Sequence, residues 1–226
     1  MTKNPFIQAF EAKTFSTRDE AVPFDKIGIA DYVPALDWAI EKAKNNVSEI
    51  KTKAANFENT ILGLETASEF LETVAGVYFN LLSAEASEAH QALAKEISPK
   101  MAAYQSDISL DEALFKKIKE VHDTQSAQPL SAEQKALVDK FYKDFVRNGA
   151  LLSATDKETL RKIDQELSAL GPQFSENVLK ATNAFEILIE DRCDIVAGRC
   201  QHVRSSTTEV LVELKPHARN ADGIST

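Results

Sequence analysis

The sequence predicts an all-α protein: an antiparallel array of about six helices, with a short extended segment and an irregular C-terminal tail. Three observations point there. Glycine and proline number only seven each in 226 residues, so few positions break a helix. Apolar residues return at steps of three and four through most of residues 5–182. Aspartate or serine stands at the head of several of these stretches, where a side-chain oxygen can cap a helix start.

The first strong helix starts near Asp31, which can cap it, and Pro34 fits its first turn. Its stripe is Val33, Leu36, Ile40, Ala43, Val47 and Ile50. A second helix runs from about Asn56, with Ile61, Leu64, Leu71, Val74, Tyr78 and Leu81 on its buried side and Phe57 and Phe70 widening it. Ser83 to Ser87 reads as a turn. The third helix carries Leu93, Ile97, Met101, Tyr104 and Ile108, and Pro99 inside it should kink or divide it. A shorter helix follows with Leu114, Ile118 and Val121, then a loop from Asp123 to Pro129. Ser131 and Gln134 have capping-box spacing ahead of Leu137, Val138, Phe141 and Phe145, and Asn148-Gly149 stops that helix. Ser153 opens the last helix, with Asp156 three residues on. Leu160, Ile163, Leu167, Leu170, Phe174 and Val178 form its stripe, and Gly171-Pro172 predicts a bend. Phe185 to Ile189 is β-rich and reads as the extended segment.

A formal charge of −9 argues against a nucleic-acid partner, because a phosphate backbone favours clustered Lys and Arg. No apolar run reaches the roughly 18 residues of a membrane span, and the first residues lack the apolar core of a secretory signal. A cytoplasmic protein is the expectation.

Composition changes at residue 191. Residues 1–190 hold 18 Lys and 3 Arg; residues 191–226 hold 1 Lys and 4 Arg, together with both cysteines and two of the four histidines. Thirty acidic residues precede the break and five follow it. Helical periodicity stops there too, leaving Val210-Leu211-Val212 as the only apolar run. The expected organisation is a helical region over 1–190 and a divergent tail over 191–226. Two accounts of the tail stay open: an extension with its own small strand or domain, and the favoured one, a broken reading frame whose product was never selected to fold.

Few side chains suggest chemistry. Glu65, Glu69 and Glu72 share a helical face and could hold a hard cation, but no histidine joins them, and a solvated face explains them. Cys193, Cys200, His202 and His217 are spaced unlike a structural zinc site, whose ligands pair a few residues apart. His90 and His122 lie on helices without a partner motif. Arg147 could pair with a carboxylate and fix the following helix, or simply complement the dipole at its own helix end. No two histidines stand four apart, so there is no His-Glu-x-x-His helix to present two imidazoles on one face with a glutamate between them.

Several segments taken together resemble the thimet oligopeptidase family, in its bacterial oligopeptidase A and peptidyl-dipeptidase branch. They are Val22-Pro23-Phe24-Asp25-Lys26-Ile27, Tyr32-Val33-Pro34-Ala35-Leu36, Asn56-Phe57-Glu58-Asn59-Thr60-Ile61, Ser83-Ala84-Glu85 and Glu96-Ile97-Ser98-Pro99. Further along come the stretch from Phe141 through Arg147-Asn148-Gly149-Ala150, and Phe174-Ser175-Glu176-Asn177-Val178-Leu179. The likeness covers about 190 residues and fades at Asp191.

The resemblance implies a zinc metallopeptidase that cuts short peptides, in which a helical N-terminal portion walls a deep channel and a C-terminal portion carries the His-Glu-x-x-His helix and a further glutamate ligand. None of those ligands has a counterpart here. No catalytic, cofactor-binding or metal residue is assigned, and zinc is expected only in a full-length member. The leading expectation is therefore a truncated channel-wall region, inactive alone. The alternative is a helical module that binds a peptide or a partner protein; a third reading is an enzyme completed in trans. Short peptides are the expected ligands if a catalytic half is present, and an exposed apolar face is expected to drive self-association.

Overall fold

The computed structural model describes residues 4–12, 22–84, 87–185, 187–188, 203–206 and 209–212. The chain forms two compact units, Met1–Gln173 and Phe174–Thr226. Among the described residues the helices are α1 (Pro5–Glu11), α2 (Ile29–Thr52), α3 (Gly63–Ala67), α4 (Glu69–Ala84), α5 (Glu88–Ser109), α6 (Glu112–Thr124), α7 (Ala132–Arg147) and α8 (Ala154–Asn183). Six of these are long and two, α1 and α3, are short, which matches the predicted all-α class.

In the first unit α2 is the spine. Its N-terminal half supplies Tyr32, Ala35, Leu36, Ala39 and Ala43 to one buried cluster, together with Phe6 of α1, Leu71, Val74 and Tyr78 of α4, and Ala94, Ile97 and Tyr104 of α5. Its C-terminal half supplies Val47 and Ile50 to a second cluster, with Leu114, Phe115, Ile118 and Val121 of α6 and Val138 and Phe145 of α7. The short α1 is tied down by one side chain. The Asn4 Oδ1 accepts from the Phe6 amide at 3.0 Å, and its Nδ2 donates to the Asp31 carbonyl at 2.7 Å.

Several boundaries differ from the sequence reading. α2 begins at Ile29, with Gly28 as its cap; Asp31 is the third residue of the helix and its carboxylate accepts from the Gly28 amide at 2.8 Å. Pro34 accordingly lies beyond the first turn, and the helix runs through it. The single helix expected from Asn56 is three pieces. Asn56 caps a π-helical turn over Phe57–Leu62, α3 follows, and Ser68 breaks the path before α4. At the break the Ser68 hydroxyl hydrogen-bonds the Tyr104 hydroxyl of α5 at 2.6 Å. α5 and α8 run through Pro99 and Pro172 as unbroken helices, so Pro99, expected to kink or divide its helix, does not divide it. α6 extends to Thr124 and a 3-10 turn covers Gln125–Ala127, so the loop expected from Asp123 starts later.

The capping signals at Ser131 and Ser153 hold. The Ser131 Oγ accepts from the Gln134 amide at 3.2 Å, and the Gln134 Oε1 accepts from the Ser131 amide at 2.9 Å. The Ser153 Oγ accepts from the Asp156 amide at 3.2 Å at the start of α8. After α7, Gly149 takes φ +93°, the left-handed conformation that closes a helix.

In the second unit the end of α8 is followed by β1 (Ile187–Leu188), β2 (Val203–Ser206) and β3 (Glu209–Val212). They form an antiparallel sheet in the order β1-β3-β2, with Ile187 opposite Val212 and Val203 opposite Val212 on the other side. The predicted extended segment is thus β1, and the Val210-Leu211-Val212 run lies in β3. The tail, expected to be irregular, holds two of the paired strands.

Tyr78 makes the first core sensitive to alkali. It is fully buried, its hydroxyl donates to the His90 carbonyl at 2.7 Å, and Tyr32 meets it edge-on at 5.4 Å. Burial, and then the neighbouring Tyr32, push its phenol from 10.0 up to about 12. A raised phenol pKa stabilises the fold fully below the unfolded value, and that contribution is lost as pH rises through the folded one. Stability should therefore fall between pH of about 10 and 12. Tyr78→Phe should flatten that fall in urea titrations run across the range.

Candidate functional site

α8 meets the rest of the first unit through charge. Lys157 is buried, and its Nζ lies 3.0 Å from the Glu112 carboxylate at the start of α6. The Arg161 guanidinium lies 2.6 Å from the Asp107 carboxylate of α5, which also takes Lys44 of α2 at 2.7 Å. The Ser106 hydroxyl donates to the Asp164 carboxylate at 3.1 Å. Burial alone would raise the Asp107 pKa, but the hydrogen bonds from Lys44 and Arg161 outweigh it and hold that carboxyl below its ordinary value. Lys157, Arg161 and Asp164 stand at i, i+4 and i+7, so they share one helical face.

The apolar stripe read from the sequence is a different face. At about 100° per residue, Ile163, Leu167 and Leu170 centre roughly a third of a turn away from the docking residues. They are exposed, Leu167 at 59% and Leu170 at 55%, and Leu151 in the α7–α8 connection stands at 66%. In the second unit Phe174 and Val178 are exposed as well. Periodicity showed which residues lie together; the charged residues decided which side turned inward.

Two recesses flank α5 within the first unit. One, of about 230 Å³, lies among α2, α3, α5 and α7, with Val47, Leu64, Ile108, Phe141 and Phe145 among its apolar walls. The other, of about 510 Å³, lies among α5, the end of α7 and α8, with Arg147, Leu160, Asp164 and Leu167 on its walls. Gln105, Ser109 and Asn148 line both.

The residues singled out from sequence are scattered. Glu65, Glu69 and Glu72 are exposed. His90 sits at the start of α5, with its Nδ1 2.8 Å from the Ser87 hydroxyl. His122 lies flat on Tyr142, ring centroids 4.1 Å apart, between the carboxylates of Asp123 and Asp139 at 3.4 Å each. Cys193, Cys200, His202 and His217 lie outside the described residues. Among the described residues no three His, Cys, Asp or Glu side chains cluster as metal ligands would, and no helix is long and apolar enough to cross a membrane. Arg147 is exposed and makes no ion pair with a described residue, so of its two sequence readings the carboxylate partner is not met within this chain's described part. Sequence reasoning passed over Lys157, Arg161 and Asp164, although their spacing was a usable signal.

No family model matches the chain. Among curated proteins, the dipeptidyl carboxypeptidase of Salmonella typhimurium is 31% identical over 174 residues, covering 76% of this chain and 26% of the relative. The dipeptidyl carboxypeptidase of Escherichia coli is 30% identical over 193 residues, covering 84% and 28%. A probable cytosolic oligopeptidase A of Arabidopsis thaliana is 25% identical over 196 residues, covering 86% and 27%. The chain thus spans about a quarter of the length of the curated relatives it matches.

Proposed function

We propose, for a chain that belongs to the thimet oligopeptidase family and matches its N-terminal part, that it forms one wall of a channel for short peptides and cleaves none by itself. The sequence relationship carries this reading. Two relatives are named for removing dipeptides from peptide C-termini and another as an oligopeptidase, and the match covers three quarters or more of this chain. The exposed apolar residues Ile163, Leu167 and Leu170 support it, because a channel wall presents apolar surface to something other than its own core. A cytoplasmic setting accords with the cytosolic relative.

Zinc is the metal that this family implies. The described residues do not fit it: His90 is engaged with Ser87 on α5, His122 is stacked on Tyr142 between α6 and α7, and no carboxylate and imidazole pair converges with a third ligand. The 226 residues also contain no His-Glu-x-x-His. In this reading the metal, and the glutamate that would activate water on it, come from sequence beyond these residues or from another chain.

A quenched fluorescent peptide incubated with the pure chain and added zinc tests the proposal. No cleavage above the zinc blank is expected. Chelator-sensitive cleavage by the pure chain would overturn it. The same exposed apolar residues favour a second reading, a non-catalytic module that self-associates or binds a partner through α8.

A further inference from the structure

We infer that the two recesses flanking α5 act as one groove for the end of a short peptide, the smaller taking an apolar side chain and the larger taking the free C-terminal carboxylate at Arg147. The inference rests on the peptide-handling reading above and adds to it a subsite and a ligand chemistry.

Proximity comes first. Gln105, Ser109 and Asn148 line both recesses, so one strip of α5 and the end of α7 borders each of them. Volumes of about 230 and 510 Å³ suit one or two residues of a peptide. The lobes differ in chemistry. Val47, Ile108 and Phe141 make the smaller one apolar, whereas the larger one carries Arg147 beside Leu160 and Leu167.

Charge then selects the ligand. Arg147 is the single cationic side chain on either lining. Of the two acids on the linings, Asp144 lies 3.5 Å from Lys140, and Asp164, on the same lining as Arg147, accepts one hydrogen bond from the neutral Ser106 hydroxyl. Arg147 has no such partner among the described residues, which leaves its planar fork open to a carboxylate that can accept two parallel hydrogen bonds. The carbonyls of the last turn of α7 would repel an anion, but those of Asp144, Phe145 and Val146 already accept from the amides of Asn148, Ala150 and Gly149. Between the lobes, the Gln105 and Asn148 side-chain amides can both donate to and accept from a peptide backbone.

The test uses the chain alone and compares acetyl-Leu-Phe bearing a free carboxylate with acetyl-Leu-Phe-amide by titration calorimetry. The acid should bind about two- to fivefold more tightly than the amide, the advantage of a solvent-exposed charge pair. Arg147→Gln should erase that preference and leave the circular dichroism spectrum unchanged, since the side chain is exposed. Gln105→Trp, at an exposed position in the neck, should weaken both peptides. Equal affinity for acid and amide, an acid preference that survives Arg147→Gln, or binding of neither peptide would each overturn the inference. None of these outcomes bears on cleavage, so the channel-wall reading stands or falls on its own assay.

Discussion

Replacing Ile118 by alanine is expected to lower the unfolding free energy by about 2–5 kcal/mol, the range for removing a large aliphatic side chain from a packed interior. Ile118 is fully buried at the centre of the second cluster, with Leu114 and Val121, also fully buried, a turn to either side on α6. Around it stand Val138 and Phe145 of α7 and Val47 and Ile50 of α2. Three helices fix its surroundings, so little collapse can refill the space. At roughly 2–4 °C per kcal/mol for a chain of this size, the melting temperature should drop by about 7–14 °C for a mid-range loss. Ile118→Val should lose only about 1 kcal/mol. Urea unfolding of the two variants checks both values, and a loss below about 1 kcal/mol for the alanine variant would show that this cluster is not close-packed.

Gly149→Val is expected to be comparably severe, by about 2–4 kcal/mol, for a different reason. Gly149 has φ +93°, which a β-branched residue adopts only under strain. A Cβ there would also lie 2.8 Å from the Leu152 Cδ1 and 2.9 Å from the Leu160 Cδ2. The leucine methyls can swing aside, whereas the backbone angle cannot change without moving the start of α8. Conformation therefore sets the larger share. Gly149→Asn, which tolerates the left-handed region, should lose less than Gly149→Val, and denaturant midpoints for the pair separate backbone strain from crowding.

What the sequence disclosed follows from how locally each feature is determined. The all-α class, the Ser131–Gln134 box, the Ser153 cap and the Asn148-Gly149 stop depend on groups within a few residues of one another, and they were legible. The break at Ser68 lies where its side chain meets Tyr104, thirty-six residues on, and periodicity carried no sign of it. Pro99 allowed a division of α5 that did not occur. In α5, Ala94, Ile97 and Tyr104 remain buried on either side of Pro99, and that packing holds the helix together across the missing hydrogen bond. The face of α8 that docks was not legible for a related reason: a stripe of leucines shows which side chains share a side, while the partners Glu112, Asp107 and Ser106 come from α5 and α6. The groove was illegible for the same cause, since its linings come from helices far apart in sequence. Only Arg147 had been singled out beforehand.

The attachment of α8 by Lys157, Arg161 and Asp164 gives dissolved ions opposite effects on neighbouring parts of the molecule. Raising ionic strength shortens the reach of exposed charge pairs, so the grip of Arg161 on Asp107 weakens. An excluded salt such as sulfate at the same time strengthens the oily contacts beneath α2. The chain can therefore become firmer at its centre while this arm works loose, and a single melting curve would average two responses of opposite sign.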